Sequence, residues 1–569
     1  MEKSCAQCST KFEITEQDLK FYDTISPVFA GKKYPISPPT FCPDCRLQRR
    51  MSWRNERFLY TRKCDKCKKN IVSVHSQNKP FPVYCNKCWW SDDWDVHQYG
   101  KSFDFSRPFF DQLRELMDKV PQLAIQNDNG TGSVNSEFCQ DASHLKNCYL
   151  VVGTWYTEDS FYCSINSSHN RNICDCINIS KSELCYESID SQGLYNCAFV
   201  QNSENCSDCF FGFDLKGCKN CFGCIGLRQK QFYIFNKPYS EEEYKEKIAT
   251  YKLDSSESLA KFKTEYFQWI IKYPRKNMNL QNCENSEGND LLNCKNTYGF
   301  SLLNSENCKY CHQGDENKFS YDISNSGRPN WCYEGITPDN SYMNHFSWFS
   351  WANKYLLYCI NCHSSEYLFG CVSLHRGKYC ILNKQYTKEE YEALVPKIIE
   401  HMKKTREWSE FPDTKFSFFG YNETVSNEYF PLTQAEVEKR GWPWQPKALR
   451  EYEPQTCIIP DSIKEIPQTI TKEILSCTDC QKNYKIIPQE LVFYQKMGLP
   501  IPKKCSNCRH LDRLKRRNPY KLWQRSCAKC AKPIKTSYAP NRPATAAAGS
   551  PAKRGKIVYC EDCYLKEIY

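Results

Sequence analysis

Through the middle of the chain apolar residues come in short stretches separated by Asn, Asp, Ser and Gly, the pattern of strands joined by tight bends. Tyr149-Leu-Val-Val152 and Ala198-Phe-Val200 are two such stretches, and the pattern predicts strands there. Cysteine recurs with them. Cys148, Cys174, Cys197 and Cys221 stand 26, 23 and 24 residues apart, and Cys163, Cys185 and Cys209 stand 22 and 24 apart. Spacings of this size signal stacked units that bury a core only together. The expectation is a β-solenoid, parallel β-helix-like, with inward cysteines and stacked asparagines at the turns. Helical periodicity shows in few places. Phe110, Leu113, Leu116, Met117 and Val120 share one face of a segment over 107–119. Capping boxes at Ser240/Glu243, Thr387/Glu390 and Thr433/Glu436 open three further helices. The first two would cap the open ends of solenoids and block strand-edge pairing.

The middle is written twice. Phe222-Gly-Cys-Ile-Gly-Leu-Arg228 returns as Phe369-Gly-Cys-Val-Ser-Leu-His375 at an offset of 147. The ends are also copies of each other: Cys5, Cys8, Phe21 and Tyr22 match Cys477, Cys480, Phe493 and Tyr494 at an offset of 472. Cys42, Cys45, Arg54, Asn55, Arg62, Cys64 and Cys67 match Cys505, Cys508, Arg517, Asn518, Arg525, Cys527 and Cys530 at 463. Val83-Tyr84-Cys85 matches Val558-Tyr559-Cys560 at 475, the change reflecting a small-residue, Lys/Arg insertion around 544–555 that reads as a flexible loop.

The 38 cysteines divide by style. In the terminal blocks they come as pairs with two intervening residues: Cys5/Cys8, Cys42/Cys45, Cys64/Cys67, Cys85/Cys88, Cys477/Cys480, Cys505/Cys508, Cys527/Cys530 and Cys560/Cys563. A two-residue gap lets one tight knuckle aim two thiolates at one ion, and two knuckles complete a tetrahedral zinc site. Four knuckles at each end therefore predict four zinc ions, with all sixteen of these cysteines as ligands. The spacing leaves open which knuckles pair. In the middle the motif is instead Asn-Cys, at 147–148, 196–197, 205–206, 220–221, 282–283, 293–294, 307–308 and 361–362. Buried thiols acting as small hydrophobes are the first reading there, with extra metal sites the second.

Cys477-Thr-Asp-Cys480, Tyr484, Gln489-Glu490, Phe493-Tyr494, Met497-Gly498, Pro502 and Cys505-Ser-Asn-Cys508-Arg509 resemble a zinc-ribbon domain family of uncharacterised bacterial proteins, treble-clef-like with four cysteines. The N-terminal copy keeps Phe12, Glu16-Gln17, Phe21-Tyr22 and Cys42-Pro-Asp-Cys45-Arg46 around a longer, proline-rich centre. The resemblance covers the two terminal modules. It implies zinc binding and no established activity.

Charge is uneven. Residues 1–100 carry 17 Lys and Arg against 11 Asp and Glu, and residues 457–569 carry 22 against 9, while the chain as a whole is +11. The intervening stretch is therefore acidic. The basic residues between the paired cysteines are Arg46, Arg49, Arg50, Arg54, Arg57 and Arg62, then Arg509, Arg513, Lys515, Arg516, Arg517, Lys521 and Arg525. Interleaved aromatics include Trp53, Phe58, Tyr60, Tyr520 and Trp523. On a rigid scaffold this mixture suits phosphate contact and base stacking. The competing role is to offset zinc–thiolate charge and donate hydrogen bonds to sulfur.

Catalytic signals are weak. Cys308-Lys-Tyr-Cys-His312 and Cys359-Ile-Asn-Cys-His363 fit the haem-attachment pattern, which belongs to exported proteins, and the start of this sequence lacks a signal-peptide pattern. Cys218, Cys221 and Cys224 lack the fourth cysteine-proline of an iron–sulfur motif. Trp89-Trp90-Ser-Asp-Asp-Trp94 and Trp348-Phe-Ser-Trp351 could stack on sugars, but packing of a small zinc core or the solenoid exterior is the first reading.

The sequence thus predicts a mainly β, multidomain fold. Its parts are a double zinc ribbon over 1–100, a helical connector over 101–134, a Cys-rich solenoid with capping helix over 135–252 and a helical connector over 253–280. A second such solenoid over 281–405, an aromatic, proline-rich linker over 406–470 and a double zinc ribbon over 471–569 complete it. The expected role is a non-enzymatic, cytoplasmic zinc scaffold contacting RNA more than DNA, with no membrane association. A protein–protein adaptor is the second reading and a carbohydrate-active β-helix protein the third.

Overall fold

The computed structural model describes residues 1–327, 331–336, 340–446, 451–540 and 555–568. It is mostly sheet, with few helices and four terminal groups of four cysteines. The insertion around 544–555 falls almost wholly outside the described residues. The chain divides into two compact units, each built from two stretches distant in sequence. Met1–Ile125 joins Leu280–Pro446, and Gln126–Asn279 joins Lys447–Tyr569. Each terminal module is thus united with the middle region of the opposite half of the chain.

The middle regions are parallel ladders. In the second unit Val152 lies beside Ser164, Cys185 beside Cys197 and Phe210 beside Phe222, a step of 12 residues that also carries side-chain hydrogen bonds. In the first unit the ladder opens at a step of 11, Leu280 beside Leu291, and continues as Lys354, Glu366 and Lys378. Through long stretches every third residue has positive φ: Asn196 at 50°, Phe199 at 59°, Asn202 at 54°, Asn205 at 50° and Asp208 at 53°. A left-handed residue at each third position turns the chain at short intervals and aims the residue after it inward. Asn and Asp tolerate that conformation better than other residues with a Cβ.

The Asn-Cys dipeptides follow directly. All eight asparagines, from Asn147 to Asn361, have φ between 48° and 55°, and seven of the eight following cysteines are buried, with Cys283 partly so. Outside, the asparagine side chains bond along the ladder, Asn282 to Asn293 at 3.2 Å, Asn293 to Asn304 at 3.0 Å and Asn304 to Asp315 at 2.9 Å. Inside, thiols and hydroxyls bond within their own step, to the carbonyl two residues back. Cys185 donates to the Glu183 carbonyl at 3.3 Å, and Ser182 to the Ser180 carbonyl at 2.8 Å.

The sequence columns need correction. Spacings of 22–26 span about two steps, and Cys185 and Cys197, assigned to different columns, are direct neighbours. Cys174 instead belongs to a column that runs from Tyr149 and Phe161 through Tyr186 to Ala198. Serine, leucine and valine occupy the other inward positions, so cysteine spacing alone samples the register incompletely.

Helices seal the ladders. All three expected capping boxes form, Ser240 with Glu243 before Glu241–Thr250, Thr387 with Glu390 before Lys388–Lys404, and Thr433 with Glu436 before Gln434–Lys439. Helix Ser256–Ile270 packs Phe262 on Phe211 and Phe222, with ring centroids 4.7 and 4.5 Å apart. Helix Phe109–Met117 begins at Pro108, which offers no side-chain cap. The buried Glu407 carboxylate supplies one, accepting from the Phe109 and Phe110 amides at 2.8 and 2.7 Å. The aromatic stretch after residue 406 is therefore packed structure: Trp408, Phe411, Phe418, Phe419 and Tyr421 all join buried clusters of the first unit.

Candidate metal centres and the arginine clasp

Four thiol groups assemble as Cys5/Cys8/Cys42/Cys45, Cys64/Cys67/Cys85/Cys88, Cys477/Cys480/Cys505/Cys508 and Cys527/Cys530/Cys560/Cys563, with the sulfurs of each group within 4.8 Å of one another. This resolves the knuckle pairing. Across the knuckles the sulfurs stand 3.7 Å apart for Cys8–Cys42, 3.9 Å for Cys67–Cys85, 3.7 Å for Cys480–Cys505 and 3.8 Å for Cys530–Cys560. A tetrahedral ion with metal–sulfur bonds of about 2.3 Å sets its sulfurs about 3.8 Å apart, so the donor set fits.

One turn builds the first knuckle of every group. Ser9, Lys68, Gln481 and Ala531 adopt φ of 59–61°, and each amide bonds back to the carbonyl of Cys5, Cys64, Cys477 or Cys527. The second knuckle opens a helix, with Cys42, Cys85 and Cys505 as N-caps. Helix N-termini favour thiolate. In each group at least one thiol is acidified. A hydrogen bond from Cys45 brings Cys42 to about 7, and the Lys69 amide brings Cys67 to about 7. At Cys477 and Cys527 burial opposes ionisation, yet amides of Cys480 and Cys505, and of Cys530 and Cys560, bring them to about 7 and about 6. The ladder thiols differ: burial pushes Cys148 and Cys185 up to about 12.

The basic residues between the knuckles turn inward. Helix Pro43–Met51 follows Cys42 and carries Arg46 and Arg50 onto one buried carboxylate, Asp322, at 2.9 and 3.2 Å. Helix Ser506–Leu514 follows Cys505 and carries Arg509 and Arg513 onto Asp175, both at 2.7 Å. These pairs correspond at the offsets 463 and 147 read from the sequence. No side chain in either trio exceeds 4% exposure. Around them Arg49 meets Glu334 at 2.7 Å, Arg516 meets Glu187 at 3.2 Å and Arg517 meets Asp190 at 2.8 Å. Burial works against the Glu187 carboxylate, but Lys263, Arg516 and Arg513 hold it down at about 2. Aromatics repeat the correspondence, Tyr22 against Tyr333 at 5.1 Å and Tyr494 against Tyr186 at 5.5 Å.

The expected nucleic-acid set must be corrected residue by residue. Arg46, Arg49, Arg50, Arg54, Arg62, Arg509, Arg513 and Arg517 are buried, because their guanidinium groups satisfy ladder carboxylates or nearby carbonyl and acidic groups. Arg57 lies half-buried beside Glu428 and Glu56. Arg516 is largely covered, and Arg525 bonds the carbonyls of Tyr538, Ala539 and Lys556. Lys515, paired with Asp512, and Lys521 remain exposed. Nor are the tryptophans free. Trp89 is buried against His375 at 4.1 Å and Trp348 against Trp53 at 4.3 Å, whereas Trp90 remains 45% exposed.

Asp175, Asp322, Glu187 and Glu334 were not singled out by the sequence reading. Their signal was present, since both pairs stand 147 apart, the offset of the duplicated middle.

No protein-family model matches the chain, and no curated protein matches it. Among solved structures, the chain is similar to a Desulfovibrio desulfuricans G20 protein named as an acetyltransferase, solved by crystallography at 2.28 Å. Identity is 10% over 45% of this chain and 68% of that one, with a TM-score of 0.11, too low to bear on fold or function. Among the described residues no helix is long and apolar enough to cross a membrane.

Proposed function

We propose that the protein is a non-enzymatic, zinc-stabilised scaffold. Four structural zinc ions rigidify two terminal modules, and each module clasps a β-solenoid formed by one parallel ladder. The observation that carries this reading is the repeated convergence of two metal-module arginines on one buried ladder aspartate. Zinc is the ion favoured by four thiolates in tetrahedral reach, and a full set of protein ligands leaves no position to activate water. Such a body serves as an adaptor, offering its outer surfaces to protein partners. Metal analysis of the purified chain tests the first half: four zinc ions per chain are expected, and zero or two would overturn it.

Nucleic-acid binding is the second reading, favoured by lysines exposed on the outer knuckles of both modules. Lys68 and Lys69 follow Cys67, and Lys529 and Lys532 flank Cys530. Binding to generic single-stranded RNA and duplex DNA across a salt series separates the readings. Affinity that falls steeply with salt and drops further in a variant with all four lysines changed to Ala supports phosphate contact. Absence of binding at low salt leaves the adaptor.

A further inference from the structure

The four terminal cysteine groups differ in how far solvent reaches them. In Cys477/Cys480/Cys505/Cys508 only Cys480 is partly open, and in Cys5/Cys8/Cys42/Cys45 only Cys8 is exposed. In Cys527/Cys530/Cys560/Cys563 the exposed Cys530 is joined by the partly exposed Cys563. The group Cys64/Cys67/Cys85/Cys88 reverses the balance: Cys64 alone is buried, Cys67 is exposed, and Cys85 and Cys88 are partly so. Its close pair across the knuckles, Cys67 and Cys85 at 3.9 Å, is therefore open to solvent at both ends. In each of the other groups the corresponding pair joins the most open cysteine to a buried one, Cys42, Cys505 or Cys560.

We propose that Cys67 and Cys85 are a site of reversible oxidative modification, at which a peroxide closes a disulfide and ejects the zinc of this centre before the other three. The proposal rests on the zinc reading of the terminal groups. Zinc-bound sulfur keeps thiolate character, and cysteine oxidation follows thiolate character and exposure. The Cys67 thiolate attacks one peroxide oxygen, giving up two electrons as the oxygen–oxygen bond breaks. That oxygen stays on sulfur as sulfenic acid, and the other leaves as hydroxide. The Cys85 thiolate then attacks the oxidised sulfur, forming the disulfide and expelling a second hydroxide. For each hydrogen peroxide reduced, two thiolates become one disulfide and two metal–sulfur bonds are lost. Cys64 and Cys88 remain, two donors where a structural zinc site needs four.

The position of the pair limits the consequence. Cys85 is the N-cap of helix Asn86–Trp89, which brings Trp89 and the following Trp90 onto His375 at 4.1 and 4.6 Å. Arg46 and Arg50 ride instead on the helix behind Cys42, in a different group. Oxidation of Cys67 and Cys85 thus frees the tryptophans from the ladder and leaves the arginine pair on Asp322 in place.

The test uses the full-length, zinc-loaded chain, treated with hydrogen peroxide while zinc release is followed with a chromogenic chelator. Samples are alkylated at intervals and mapped by mass spectrometry. Expected are an early phase of about one zinc ion per chain, a Cys67–Cys85 disulfide formed in that phase, and release of the remaining ions about tenfold slower. Dithiothreitol with added zinc should restore the starting state. Hydrogen exchange after the early phase should rise around Trp89 and not around Asp322. C67S, its fold checked by circular dichroism, should lose the early phase. Release of all four ions together, a first disulfide that lacks Cys67 or Cys85, or an unchanged early phase in C67S would overturn the proposal. A purified chain that never held four zinc ions would overturn instead the reading on which it rests.

Discussion

At Asp322 two guanidinium groups converge on one carboxylate, and none of the three side chains is more than 1% exposed. Removing the acid would strand two buried cations. Losing one partner of a buried pair typically destabilises by about 3–5 kcal/mol, whereas replacing a whole ionic set by apolar residues is often neutral. D322A is therefore expected to lower stability in urea unfolding by about that amount, and D175A likewise. The triple variant R46M/R50M/D322L should recover most of the loss. Equal losses in D322A and the triple variant would show that the site matters for shape rather than charge. These arginines were legible as a cluster and misleading as to role. Arg46 and Asp322 are 276 residues apart, and nothing local in the sequence tells a solvated guanidinium from one awaiting a distant carboxylate.

Two kinds of element, the knuckle and the three-residue corner, account for how much the sequence disclosed. The knuckles were legible one by one, though not their pairing, because two cysteines with two residues between them need one short turn and no tertiary information. The strands were legible only in outline. Short apolar stretches read as strands hide a chain that turns left-handed every third residue, with Phe199 and Phe211 as well as asparagine at corners. Those bulky residues hold the conformation because they pack on each other and on helix Ser256–Ile270. Substitution at Asn205, at φ 50°, checks the corner directly. N205G should be close to neutral, whereas N205A should destabilise by about 1 kcal/mol, the order of the left-handed penalty for a residue with a Cβ. The same logic makes E407Q milder than E407A, since an amide oxygen still caps the helix at Phe109.

Across the whole molecule the two units differ in their response to acid. The first unit buries His75, His312 and His345 and half-buries His375, and desolvation lowers them to about 3, 3, 4 and 4. Each takes up its proton near 6.5 when unfolded, so their stabilising effect is present above pH 6.5 and is lost as pH falls below it. Burial raises Glu428 to about 7 and also raises Glu56 and Glu334, which act in the opposite direction as pH falls, but these three carboxylates are set against four imidazoles. In the second unit Glu187, held at about 2, contributes above its unfolded value near 4.5 and loses that contribution as pH falls toward 2. Hydrogen exchange between pH 7 and 5.5 should therefore show protection falling first in residues 280–446, and H345F should reduce that fall. The central claim is that metal in the terminal modules holds the arginine clasps closed, and the most direct measurement is hydrogen exchange of the full chain before and after zinc is removed by a chelator. The account predicts lost protection in the strands beside Asp175 and Asp322 as well as in the knuckles. Removal of all four ions with protection beside both aspartates unchanged would contradict it.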